Sequence, residues 1–104
     1  MYSLIFYVPP SHLTSIKDAL FGAGAGKVGK YSHCAWQILG QGQFLPLNGS
    51  HPFQGKCDNL ENTSEYRVEM VCEDHLIQRA ITALKAAHPY ETPAYQVIKL
   101  EAIA

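Results

Sequence analysis

From Glu65 to Cys72 the chain alternates without a break. Tyr66, Val68, Met70 and Cys72 fall on one side, and Glu65, Arg67 and Glu69 on the other. Side chains in a strand point alternately to opposite faces, so this segment predicts a β-strand with one dry face and one polar face. A strand of that kind needs apolar cover on one side only, and the neighbouring segments supply it. Asp74 is a candidate N-cap for a helix over residues 75 to 87, with Leu76, Ile77, Ala80, Ile81 and Leu84 as its apolar stripe and Pro89 as its stop. Tyr95 to Leu100 then reads as another strand.

The first half repeats this layout without repeating the sequence. Tyr2 to Val8 is apolar almost throughout, which predicts a central strand covered on both faces. Pro9-Pro10-Ser11 opens a helix with Ser11 as its cap, Leu13, Ile16 and Leu20 recur at helical spacing, and Gly22 is the expected C-cap. A second strand is expected near His33 to Leu39, with Gln41 to Leu47 pairing back as a short extension. Asn48 to Ser64 reads as loop. Two strand–helix–strand units in one chain of 104 residues predict a single α+β domain over 1–104. The economical arrangement is a ferredoxin-like split β-α-β sandwich, a four-stranded antiparallel sheet with two helices on one face. Its other face stays open. Charged residues make up only 16% of the chain against 47% hydrophobic ones, so a partner sheet is expected to cover that face.

Several classes of function are disfavoured. The formal net charge is −1, and binding to nucleic acid rests on Lys and Arg neutralising phosphates. No apolar run approaches the ~20 residues of a membrane helix. The apolar N-terminus lacks the basic flank of a signal peptide. Three cysteines, Cys34, Cys57 and Cys72, are odd in number and lack CxxC spacing. They read as reduced thiols of a cytoplasmic protein.

All eight glycines lie between Gly22 and Gly55, within a stretch from Asp18 to Asp58 that is free of other acids and carries Lys27, Lys30 and Lys56. Gly24-x-Gly26-x-x-Gly29 spells a dinucleotide fingerprint, but it follows a helix and opens a strand, the reverse of the required context. It reads as a flexible connection, or as a loop that holds an anion through backbone N–H groups and Lys27 or Lys30. His33 and Cys34 offer a soft metal pair that His88 or Cys72 would have to complete, since no single element has chelate spacing. Glu65, Arg67 and Glu69 form either a solvated strand face or a polar network between subunits. His88-Pro89-Tyr90-Glu91-x-Pro93 places an imidazole, a phenol and a carboxylate between two stiffening prolines, either as a site or as a helix stop whose His88 satisfies the last carbonyls.

Taken in order, Gly24-x-Gly26-x-x-Gly29-x-Tyr31-x-x-Cys34, Phe44-x-Pro46-x-x-Gly49-x-x-Pro52-x-x-Gly55, Glu65-x-Arg67-x-Glu69 and His88-Pro89-Tyr90-Glu91-x-Pro93-Ala94-Tyr95 resemble the domain inserted into YqfO-type members of the NIF-three-like family. That domain is similar to PII and CutA proteins. The resemblance spans nearly all of residues 2 to 101. It implies a stand-alone PII/CutA-like domain in a trimer whose sheets pack around a three-fold axis, a dimer being the alternative. It also implies a cleft between subunits for a small ligand or a divalent metal ion. The flanking halves with the family's dinuclear metal site lie outside this sequence, so a hydrolase or cyclohydrolase activity is not expected to transfer. Gln96 follows Tyr95 where the inserted domain often has Asp.

The expectation is a non-enzymatic, self-associating binding or sensor module. Lys27, Lys30, Tyr31, Glu65, Glu69, Tyr90 and Glu91 are its candidate ligand contacts, and His33, Cys34 and His88 its candidate metal donors. On that reading His88→Ala stays folded and oligomeric but loses ligand. The alternatives are a structural module that docks on a separate protein partner, and a small hydrolase using His88 and Glu91 as acid and base.

Overall fold

Leu4, Phe6 and Val8 of the first strand all lie on the side that the helices cover, and all three are fully buried. In the computed structural model, which describes residues 1–102, that strand is β1 (Tyr2–Val8). It is followed by α1 (Leu13–Gly22), β2 (Trp36–Phe44), β3 (Glu61–Cys72), α2 (Ile77–Ala87) and β4 (Tyr95–Lys99). The strands form one antiparallel sheet in the order β2-β3-β1-β4. That is the split β-α-β sandwich, with β1 in the interior as its apolar sequence requires. Ile16 and Leu20 of α1 and Ile77, Ala80 and Leu84 of α2 close over Val68, Met70 and Cys72 of β3. No helix among the described residues is long and apolar enough to cross a membrane.

Register sorts the remaining sheet residues onto the second face. Ser3, Ile5 and Tyr7 of β1 lie there beside Glu65, Arg67, Glu69 and Val71 of β3, with Trp36, Ile38, Gly40 and Gly42 of β2 and Ile98 of β4. Among the described residues nothing packs over this face as the helices do over the other. Trp36, Ile38 and Ile98 remain 55%, 53% and 49% exposed.

Four local expectations are corrected. Ser11 caps nothing. It lies inside a 3₁₀ turn over Pro10–His12, and its hydroxyl meets His12 Nδ1 at 2.8 Å. Gly22 is the last residue of α1 rather than its cap. The left-handed turn falls at Gly24, whose φ is +101° and where a Cβ would sit 2.7 Å from Leu76 Cδ1. The segment after Leu39 does not fold back; β2 continues through Gly40 and Gly42 to Phe44, and β3 correspondingly starts at Glu61 inside the expected loop. Asp74 gives no side-chain cap to α2. It accepts hydrogen bonds from Lys99 Nζ at 2.5 Å and from the Met1 amino group, and these hold its carboxyl at about 2.

Candidate functional site

Pro89 ends α2 at Ala87 and turns His88 into extended backbone. The His88 amide closes the helix on Leu84 O at 2.9 Å, so capping falls to its backbone, and the ring is free to turn inward. There Nε2 donates to the Tyr7 carbonyl at 2.7 Å, and Nδ1 accepts the Tyr90 amide at 3.1 Å. One nitrogen donates and the other accepts, which is the pattern of a neutral imidazole. Burial pushes the His88 pKa down in the same direction, against the pull of the Tyr7 carbonyl.

The same loop delivers Tyr90 to β3. Its ring packs on His88 at 4.7 Å, and its hydroxyl donates to Glu65 Oε2 at 2.9 Å. Burial, and then the Glu65 carboxylate, raise the phenol well above its ordinary value, so it stays a donor. Glu91 turns the other way, and its Oε2 accepts the His51 amide at 2.8 Å. Phe53 stands against Tyr90 at 6.0 Å on one side and His12 at 5.6 Å on the other. The loop between β2 and β3 is therefore folded back onto the Tyr90 segment.

Two adjoining clefts result, sharing Gln43, Glu65, Tyr90 and Ala94 as a common wall. The first, about 430 Å³, opens on the bare sheet face between Tyr7, Ile38, Gly40, Gly42 and Arg67. The second, about 390 Å³, lies under the β2–β3 loop among Phe44, Leu47, Phe53 and Glu91. Gly42 makes the common wall possible, because a Cβ there would lie 1.9 Å from Glu65 Oε1. Gly42→Ala is therefore expected to swing Glu65 off Tyr90 and to lose about 1 kcal/mol, the net worth of such a hydrogen bond. In urea titrations the Gly42→Ala/Tyr90→Phe double variant should lose little more than either single one. Additive losses would show that Gly42 does not act through this bond.

The other candidates lie elsewhere. Lys27, Lys30 and Tyr31 project from a two-residue turn closed by paired Val28–Tyr31 backbone bonds of 2.9 Å, with Gly29 at φ +56°. Gly26 N–H docks this turn on Val71 O at 2.7 Å, and Cys34 N–H returns to Gly26 O at 2.8 Å. The His33 ring packs on Phe21 at 4.7 Å. Val71 and Glu65 are six residues apart on β3, about 20 Å at the strand rise of ~3.3 Å per residue. Within one chain His33 and Cys34 are thus at the opposite end of the sheet from His88. Among the described residues no three His, Cys, Asp or Glu side chains come together as a metal site. Glu69 lies between the two ends and binds Arg67 Nη2 at 3.1 Å. His88 and Glu91 do not pair as acid and base, since each is engaged with a backbone group.

Sequence reasoning passed over Gly42, His51 and Phe53. The only trace of the first was two glycines at i and i+2 in a strand, which puts both on one face.

No family model matches the chain. A GTP cyclohydrolase 1 type 2 homolog of Mycobacterium leprae is 42% identical over 96 residues, which is 92% of this chain and 25% of that protein. The solved structure of a Bacillus cereus protein related to NIF3 superposes with a TM-score of 0.84 at 36% identity, over 97% of this chain and 26% of that one. The PII-like protein CutA from Nostoc superposes with a TM-score of 0.70 over 97% of this chain and 82% of its own, at 17% identity, a likeness of fold alone. The chain spans about a quarter of the length of the curated relatives it matches. It is a homologue of the PII/CutA-like domain carried by the GTP cyclohydrolase 1 type 2 homologs, the NIF-three-like family.

Proposed function

We propose that the chain is a self-associating binding module, without chemistry of its own, that holds a small ligand in the clefts walled by Glu65 and Tyr90. One observation carries this reading. The first cleft is floored by residues of the uncovered sheet face, so a second copy packed on that face would border the ligand. A trimer is the assembly we favour, and the cytoplasm the compartment. Glu65, Tyr90 and Glu91 are the proposed ligand contacts on this side. Lys27, Lys30, Tyr31 and Glu69 would come from a neighbouring copy. A divalent metal ion is a second kind of ligand for the module, with His33 and Cys34 as donors and the remaining donors supplied across the interface. His88 would have to release Tyr7 or Tyr90 to join them.

The exposed Trp36, Ile38 and Ile98 favour a second reading, in which the module only assembles and holds a protein partner in place. Native mass spectrometry of untagged protein, purified without chelator, separates the two. A trimer carrying extra mass that Tyr90→Phe removes is the expected result. A bare trimer, unchanged by Tyr90→Phe, would favour the structural reading, and a monomer would sink both.

A further inference from the structure

The loop between β2 and β3 carries one dipeptide whose own chemistry the fold leaves unprotected. Leu47, Asn48, Gly49 and Ser50 form a turn, closed by the Ser50 N–H on Leu47 O at 3.0 Å. Gly49 stands third in it at φ +93°, the glycine position of a type II turn. The peptide between Asn48 and Gly49 is the middle of the turn and takes no part in the closing bond. Both residues are exposed. Among the described residues neither the Gly49 N–H nor the Asn48 carboxamide has a hydrogen-bond partner. The space beside Gly49 is open as well, since a Cβ there would meet nothing within 4 Å. Glycine has no Cβ to shield the amide nitrogen. The chain's other asparagines are placed differently. Asn59 precedes Leu60, and its amide is held on Lys56 O at 3.2 Å. Asn62 lies in β3 opposite Gln43 and precedes the buried, β-branched Thr63.

We propose that Asn48 is a site of spontaneous deamidation, and that its conversion loosens the β2–β3 loop from the Tyr90 segment. The Gly49 amide nitrogen loses its proton to solvent and attacks Asn48 Cγ. A bond forms between that nitrogen and Cγ, the bond from Cγ to the carboxamide nitrogen breaks, and the carboxamide nitrogen leaves as ammonia with a proton from solvent. Water then opens the five-membered succinimide at either carbonyl, giving aspartate or isoaspartate. Isoaspartate runs the main chain through the side-chain carbon and so adds one methylene to the turn. The contacts that hold the loop depend on the spacing of that turn. Ser50 Oγ donates to Leu47 O at 2.7 Å, and Cys57 Sγ lies 3.4 Å from the same oxygen. One residue beyond the turn, the His51 N–H donates to Glu91 Oε2 at 2.8 Å. Both products also add a negative charge to the loop that the Glu91 carboxylate holds.

Incubation of the whole folded chain at neutral and at mildly alkaline pH tests this, with peptide mapping by mass spectrometry that separates isoaspartate from aspartate. Asn48 is expected to convert at least about tenfold faster than Asn59 or Asn62, a barrier difference of about 1.4 kcal/mol. The rate should rise with pH, because the attacking nitrogen must lose its proton, and isoaspartate should be among the products. Asn48→Gln keeps a carboxamide but cannot close the five-membered ring, and should stay unconverted. Hydrogen exchange of the His51 amide, followed by NMR, reads the loop. It should quicken about fivefold in the incubated wild type, as when one ordinary hydrogen bond is lost, and stay constant in incubated Asn48→Gln. An Asn48 that converts no faster than Asn59 and Asn62 overturns the site. Full conversion with unchanged His51 exchange overturns the release of the loop, and so does an equal change in Asn48→Gln.

Discussion

Trp36→Asp/Ile38→Asp is expected to leave the chain folded and to reduce it to a monomer. Both side chains lie on the uncovered face of β2 and are more than half exposed in the single chain, so folding does not depend on burying them. Asp is a poor strand residue, and two of them should cost a folded monomer about 1 kcal/mol each. The proposed assembly through this face would depend on them far more. Burying the exposed part of a Trp and an Ile contributes about 2 to 3 kcal/mol each per copy at about 25 cal/mol per Å². The replacement also forces two unpaired carboxylates into an apolar interface, at several kcal/mol apiece. Glu69 pairs with Trp36 across the ladder and Arg67 with Ile38, so one new carboxylate faces a like charge and the other a guanidinium already bound to Glu69. Sedimentation velocity gives the mass and far-ultraviolet circular dichroism the fold. If the variant sediments as the wild type does, the assembly surface is not this face.

The same β2 shows how far the sequence could be read. Alternation located β3 because each of Val68, Met70 and Cys72 pays no attention to anything but its own side of the sheet: local pattern and tertiary burial agree there. β2 has no such pattern past Leu39. Gly40 and Gly42 read as punctuation, but Gly40 pairs with Glu65 of β3, and the Glu65 side chain fills the space that a side chain at Gly42 would take. Ser11 and Asp74 are sound caps by residue type, and both lose to a nearer partner, His12 for one and Lys99 for the other. At the site, residue type picked out Glu65, Tyr90 and Glu91, and the fold brings Glu65 and Tyr90 within hydrogen-bonding distance across 25 positions. Type alone also grouped His33 and Cys34 with His88. A list of soft donors carries no distances, and β3 holds these two ends of the sheet apart. Phe53 and His51 carried no signal, because a loop residue acquires its role only from what the loop folds onto.

His88→Ala is expected to lose about 3 kcal/mol of stability, so that any loss of ligand comes with a weakened fold. The ring is 7% exposed and joins three elements: the end of α2, the Tyr7 carbonyl of β1 and the Tyr90 amide. Alanine leaves a buried acceptor and a donor without partners and opens a cavity between them, together about 3 kcal/mol, a large share of the stability of a domain this size. His88→Gln keeps a donor and an acceptor and should recover part of the loss. The same geometry sets a pH dependence. Burial holds the folded pKa of His88 below its ordinary 6.5, while Glu65 pulls weakly the other way and His12 adds to the depression. The unfolded chain therefore binds the proton first, and stability present above pH 6.5 is lost as pH falls through the folded pKa. Protonation would also turn a second N–H at Nδ1 toward the Tyr90 amide, donor against donor. Asp74 does not confuse this window, because its carboxyl sits at about 2 in the fold against 3.8 outside it, and what it contributes is lost only below that higher value. Urea midpoints of the wild type should fall between pH 7 and pH 5, and those of His88→Gln should change less over the same range. Equal slopes in the two proteins would mean that His88 is not the buried, neutral hinge between α2, β1 and the Tyr90 loop.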